Sequence, residues 1–393
     1  MNKSLKRIVR TAWAAVTIAV AASGCAHSSF RDEPAPAPPL KEPGITNLTI
    51  HLTLSSPHGN PFFPSETPAE SRAGEELAAN QAEKLHSVRI IIADGEGYVE
   101  HNTLWDLTAD PAVLASGDSF PVKSNDDKTL IFIGNEESTM LTDISTGETV
   151  SAAAYFSRMI PAEGDMRVKV DPEALKKNLI LNRALNFPLE IADPATRKPL
   201  PICSIYEKYH IGDAAAQSDH FYMHRAATKF TYRLENRSVD GSAVVNALYL
   251  NNIPEAEYYF FNAVFPEGSK QTSYTSHTPY AASGSTATIA ANTDIPHGTT
   301  AEIGPVYLPE GPSFTRSAYV YRTWLAINGE TGAPSDINFT TPAGGTTRPM
   351  LDLPRNTHVV INGHFTRLSA AEVVFNYTVC GWQELSTDIP PYN

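Results

Sequence analysis

Leu48, Ile50, Leu52 and Leu54 alternate with Thr49, His51 and Thr53, a period of two that gives a strand one apolar face. Similar short β-type runs recur along the 393 residues. They lie at 88–93, closed by Asp94-Gly95, and at 130–133, closed by Gly134-Asn135. Others lie at 230–234, 244–250, 319–327, 359–365 and 373–379, with weaker ones around Val168, Leu179 and Ile191. Ser124-Asn125-Asp126-Asp127 reads as a hairpin turn before the strand at Leu130. No segment sustains a helical period for long. Residues 104–114, 149–159 and 172–177 are expected as short helices between strands, and 73–85 as a short helix or a loop. Only 19% of residues are charged and 30 are Pro, which suits an all-β protein better than a helical one. The chain exceeds one ordinary domain of ~150 to 200 residues. The pattern therefore predicts two tandem antiparallel β-sandwiches, residues 46–216 and 217–382, followed by a tail at 383–393.

The start of the chain sets its destination. Lys3, Lys6, Arg7 and Arg10 form a cationic stretch, followed by an apolar run over 11–22 that is too short for a stop-transfer helix. It ends in Ala22-Ser23-Gly24-Cys25, which resembles a lipobox, with Ala22 at the position that is usually Leu. The resemblance implies that 1–24 is a signal peptide and that Cys25 is acylated, its chains holding the protein to a membrane. Residues 25–45, with Pro34, Pro36, Pro38, Pro39 and Pro43, read as an extended tether. Residues 56–74, with Pro57, Pro61, Pro64 and Pro68, read as an exposed loop open to nicking. The net charge of -13 argues against nucleic acid and against docking on anionic lipid by surface charge. An exported chain can form disulfides, and the sequence leaves open whether Cys203 and Cys380 pair.

The sequence lacks the common motifs of catalysis. It holds no P-loop, dinucleotide glycine fingerprint, G-x-S-x-G elbow or H-E-x-x-H. His220 and His224 would share a face only on a helix, and the segment runs into a predicted strand. Glu75-Glu76 and Glu136-Glu137 are adjacent pairs, so each pair points two ways, and solvated surface is the default. The reading is a non-enzymatic protein without cofactor or metal site.

Several segments, in order, resemble the type V (Bacteroidia-type) fimbrillins. They are the alternating strand at 48–54, Ser71-Arg72-Ala73 before the next strand, and Thr129-Leu130-Ile131-Phe132-Ile133-Gly134-Asn135. Leu200-Pro201-Ile202-Cys203-Ser204 and His224-Arg225-Ala226-Ala227-Thr228-Lys229-Phe230 follow. Last come Pro354-Arg355-Asn356-Thr357-His358-Val359-Val360-Ile361 and Val379-Cys380-Gly381-Trp382. Their order and spacing over nearly the whole chain carry the resemblance. It implies transthyretin-like sandwiches in a lipoprotein precursor of the outer membrane. It also implies that an arginine-specific protease cuts between Arg72 and Ala73, removing the lipid and the strand of Leu48, Ile50, Leu52 and Leu54. The vacated groove would accept a donor strand from another fimbrial subunit, building a homo- or heteropolymer that becomes an extracellular fimbrium. The candidate donor is the tail at 383–393, where Leu385 and Ile389 share a parity but Pro390-Pro391 would interrupt pairing. Stalk and tip positions both fit, with the host surface or other bacteria as adhesive partners. The alternative is a monomeric or anchor-type surface lipoprotein that binds glycan or host protein.

Overall fold

The alternation at the front of the chain becomes β1 (Ile45–Leu54), whose even-numbered residues point inward. In the computed structural model the described residues are 44–54, 81–161, 168–189, 191, 198–266, 271, 274–312, 320–340, 347–370 and 373–381. The strands of the first half are β2 (Ser87–Ala93), β3 (Val99–Asp106), β4 (Asp118–Lys123), β5 (Asp126–Gly134), β6 (Met140–Asp143), β7 (Glu148–Ser151), β8 (Leu179–Asn182), β9 (Ile202–Ile211) and β10 (Ala216–Arg225). Those of the second half are β11 (Thr228–Asn236), β12 (Ala243–Ile253), β13 (Ala256–Tyr258), β14 (Ala263–Val264), β15 (Ser276–His277), β16 (Ser285–Ile295), β17 (Thr300–Leu308) and β18 (Arg322–Ile327). β19 (Glu330–Thr331), β20 (Ser335–Asp336), β21 (Asn338–Thr340), β22 (Thr347–Pro349), β23 (Thr357–Phe365) and β24 (Val374–Gly381) complete the set.

A seven-stranded sheet in the order β3-β2-β5-β9-β10-β1-β4 dominates the first half. It curls until its outer strands meet: His101 Nε2 of β3 donates to Pro121 O of β4 at 2.7 Å, and the His101 ring packs edge-on against Phe120. One face encloses a core of Leu48, Ile50, Val88, Ile90, Phe132 and Phe221. The other face packs Ile91, Ile131, Ile133 and Cys203 against Leu141, Leu179 and Leu181 of the sheet β13-β8-β6-β7. β2 and β5 are buried on both faces, which explains their continuous apolar runs.

In the second half, the sheet β17-β11-β23-β24 faces the sheet β16-β12-β18-β19, with β20 also on β18. Phe230, Tyr232, Leu248, Leu250, Leu325 and Ile361 lie in the core between them. β14 pairs with β15 and β21 with β22 in small two-stranded ladders. β13, from the second half, adds to the sheet of β8, so the halves share a sheet.

The expected all-β class holds, and several local expectations are corrected. Among the described residues two ladders are parallel, β1 with β10 and β11 with β23, so the sandwiches are not purely antiparallel. Because β10 belongs to the first sheet, a boundary near Gln217 would cut that strand. The chain passes from one large sheet to the other at Ala226 and Ala227, between β10 and β11. Residues 104–106 extend β3 instead of starting a helix, because Leu104 and Trp105 pair with Arg89 and Val88. Helix α1 is only Val113–Ser116. The helix expected over 149–159 shrinks to α2 (Ala152–Phe156), capped by Ser151 Oγ accepting from Ala154 N–H. α3 (Pro172–Asn178) forms as expected, with Asp171 as its cap and Pro172 in its first turn. α4 (Arg183–Asn186) follows β8 directly. Ser124-Asn125-Asp126-Asp127 links β4 to β5 but closes no hairpin, since β4 pairs with β1. Val168 and Ile191 lie outside named strands.

Candidate functional site: the slot of the first strand

β1 is an inner strand. On one side Asn47 pairs with Ala216 and Leu54 with Met223, parallel to β10. On the other, Ile45 pairs with Lys123 and Ile50 with Asp118, antiparallel to β4. Among the described residues β4 has no other ladder partner, so β1 connects the outermost strand to the rest of the sheet. Leu48 and Ile50 are fully buried, Leu52 nearly so, and Leu54 half-buried. Burial of Leu48, Ile50 and Leu52 contributes roughly 5 to 9 kcal/mol, at about 1.5 to 3 each.

The inward row begins with a polar residue. Thr46 is fully buried, and its hydroxyl reaches Ala214 O at 2.7 Å and Gly212 O at 3.3 Å. On the outward row His51 stacks on His220 with centroids 4.6 Å apart and lies 3.2 Å from Ser218 Oγ. The entry to β4 is tight: a Cβ at Gly117 (φ +72°) would lie 2.8 Å from Ile50 O. Lys123 Nζ meets Asp94 Oδ2 at 2.9 Å, a contact that depresses the Asp94 carboxyl against the opposing effect of burial.

Motifs from distant parts of the chain converge where the halves meet. Arg355 is fully buried. It donates to Tyr259 O at 2.7 Å and Tyr258 O at 2.5 Å, lies 3.0 Å from Glu310 Oε1, and stacks over Phe261. Glu257 Oε2 accepts from Glu310 N–H at 2.6 Å and is 3.8 Å from Arg355. Burial pushes the Glu257 carboxyl up to about 8; Arg355 pulls it down and Glu310 adds to the rise. Cys203 Sγ donates to the same Tyr259 carbonyl at 3.0 Å. Cys203 is a free, buried thiol, pushed up to about 12 by burial, so it does not pair with Cys380. Cys380 lies opposite His358 in the β23–β24 ladder.

A second cluster ties the segment before β2 to the second half. Lys229 Nζ lies 2.8 Å from Glu83 Oε1, and Tyr307 OH donates to the same oxygen at 2.5 Å. Arg225 Nη2 donates to Glu83 O at 3.3 Å. Asn135, with φ +55°, accepts from His86 N–H and donates to Lys84 O and Leu200 O. Asn356 N–H donates to Ala227 O at 2.6 Å. These residues join elements to each other.

Leu48, Ile50, Leu52 and Leu54 thus lie together in one row of β1. Cys25, Arg72, Ala73, Leu385 and Ile389 lie outside the described residues. His220 and His224 sit on a strand, where four residues span about 13 Å, too far to share an ion. His220 is exposed beside His51, and His224 is buried. Glu136 is not solvated surface: it is fully buried and takes a two-pronged contact from Arg89 at 2.6 and 2.8 Å, while Glu137 is exposed. The buried carboxylates Glu83, Glu257 and Glu310 escape sequence reasoning as well. One signal for them exists: Glu257 stands directly before the aromatic run Tyr258-Tyr259-Phe260-Phe261.

No family model matches the chain, and no curated protein matches it. Solved structures do. The tip fimbrial protein Mfa3 from Porphyromonas gingivalis, with a C-terminal truncation, superposes with a TM-score of 0.50 at 12% identity, over 86% of this chain and 100% of that one. This chain shares the fold of that tip fimbrial protein. A fimbrial assembly protein from Parabacteroides distasonis is similar with a TM-score of 0.35 at 8% identity, over 86% of this chain and 98% of that one. In this fold, β1 in its slot and the welded junction are the two features that sequence motifs mark.

Proposed function

We propose that this chain is a structural subunit, stalk or tip, of a surface fimbrium, made as a lipoprotein and polymerised by exchange of its first strand. One observation carries the reading: β1 is a doubly paired inner strand whose apolar row fills a core, yet only the residues at 55–80 separate it from the next described element. Cleavage at Arg72 would detach 25–72 covalently while leaving the sheet otherwise intact. Loss of β1 would then expose ladder edges on both β10 and β4, along with the pockets of Leu48, Ile50 and Leu52. Unpaired edges beside an apolar groove are a strong acceptor for another strand. Head-to-tail strand addition need not close on itself, and so grows a filament. The resemblance of Cys25 to a lipidated cysteine and the likeness to a fimbrial tip protein support the same reading. Other fimbrial subunits and an arginine-specific protease are the partners it calls for, with the outer membrane as the starting location. The buried junction suits such a role, because a filament subunit must transmit tension from one half to the other.

Mild trypsin treatment of the full chain tests it. A stable fragment beginning at Ala73, followed by oligomers that survive SDS without heating, is the expected outcome. Absence of a preferred cut at Arg72, or a fragment that unfolds once cut, would overturn it.

A further inference from the structure

The inward row of β1 reads Thr46, Leu48, Ile50, Leu52, and its first member is out of character. Thr46 is fully buried at the head of an otherwise aliphatic row. Valine has nearly the same shape, so shape alone does not call for threonine. The hydroxyl is used: it donates to Ala214 O at 2.7 Å and lies 3.3 Å from Gly212 O, both in the loop between β9 and β10. An occupant without a hydroxyl there would lose this bond; Ala214 is exposed, so the loss is that of one hydrogen bond and not of a buried acceptor left bare. The opposite end differs, since Leu54 is only half-buried and tolerates variation. A one-residue slip would also turn the apolar row outward.

The next two positions are equally restrictive. Leu48 and Ile50 are fully buried and lie where β1 is paired on both sides, with β10 and with β4. Proline has no N–H and is excluded from a doubly paired strand. The stretch 382–393, Trp-Gln-Glu-Leu-Ser-Thr-Asp-Ile-Pro-Pro-Tyr-Asn, can be laid along the slot in every register and in both directions. Residues two apart pair as Leu385 with Thr387, Thr387 with Ile389, Ile389 with Pro391, Asp388 with Pro390, and so on. No register places large apolar residues other than proline at both central positions.

Resting on the strand-exchange reading above, we infer that the slot is read by a hydroxyl at its head. Its occupant is a strand of a different polypeptide, with the pattern Ser/Thr-x-large-x-large-x-large, and not residues 382–393 of a second copy. Thr46 therefore marks the register, and the Leu48 and Ile50 pockets reject the tail. This chain then joins a heteropolymer through its slot.

The test uses the full chain nicked by trypsin and three fluorescein-labelled peptides: residues 44–54, the same peptide with Thr46→Val, and residues 382–393. Each is exchanged against the bound fragment under mild heating and followed by anisotropy. The 44–54 peptide is expected to enter, and the Thr46→Val peptide to bind about five- to tenfold more weakly. The tail peptide is expected not to compete even at hundredfold excess. Equal binding of the Val peptide, or competition by the tail peptide, would overturn the inference while leaving strand exchange standing. Failure of the 44–54 peptide itself to enter would remove strand exchange, and the inference with it.

Discussion

Replacing Arg355 by Met removes the cation that lies between two buried carboxyl groups while keeping much of the volume. Glu310 would lose the contact to Arg355 Nη2 at 3.0 Å, and the carbonyls of Tyr258 and Tyr259 would lose their guanidinium donors. Glu310 is almost fully buried, so water cannot easily replace the lost partner. Breaking a buried ion pair from one side typically costs about 3 to 5 kcal/mol, because the remaining charge stays desolvated. With a urea m-value near 3 kcal/mol/M, at the upper end for small proteins, the midpoint falls by about 1 to 1.7 M. Urea unfolding followed by tryptophan fluorescence reads this out, in a chain whose Trp13 and Trp382 are replaced by Phe. Trp105 then reports the first half and Trp324 the second, and both transitions should move, since Arg355 joins the two. The double variant Arg355→Met with Glu310→Gln should recover at least half the loss, because a neutral amide tolerates the site better than an unpaired carboxylate. A shift below about 0.3 M, or a double variant no better than the single one, would refute the claim that charge pairing holds the junction.

Ile50→Ala should weaken retention of β1, since a fully buried aliphatic truncated to Ala costs about 2 to 5 kcal/mol. In the trypsin-nicked protein, native mass spectrometry should show the cut fragment leaving about 30-fold faster or more, if the loss appears in dissociation. Glu257 gives a pH signature. Its folded-state carboxyl is raised to about 8, above its ordinary value of 4.5, so the folded chain holds a proton that the unfolded chain releases between these values. Its contribution is fully present below pH 4.5 and is lost as pH rises through about 8. Glu257→Gln should flatten that part of the stability profile, measured as urea midpoint against pH, and an unchanged slope would show that another group sets it.

Much of the strand content was legible from local pattern alone. Alternation at Leu48, Ile50, Leu52 and Leu54 marks a strand and its buried face, and the runs of β2 and β5 mark strands covered on both sides. Gly134-Asn135 marks a stop, and Asn135 indeed adopts φ +55°. Asp171 and Pro172 mark the start of a helix. These signals are local because side-chain direction and turn conformation are set within a few residues. Which strand lies beside which is a different matter. Nothing in β1 announces that its parallel neighbour lies at Ala216–Arg225, or that β4 hangs on it from the other side. Alternation fixes a face and leaves the edge open, and the edge is assigned only when all apolar faces are buried at once. Arg355 shows the same division: its presence was visible in a motif, but its burial against Glu257 and Glu310 depends on chain segments far away in sequence. A charge can be buried only where tertiary packing delivers its partners, so the junction belongs to the tertiary structure and the strands to the sequence.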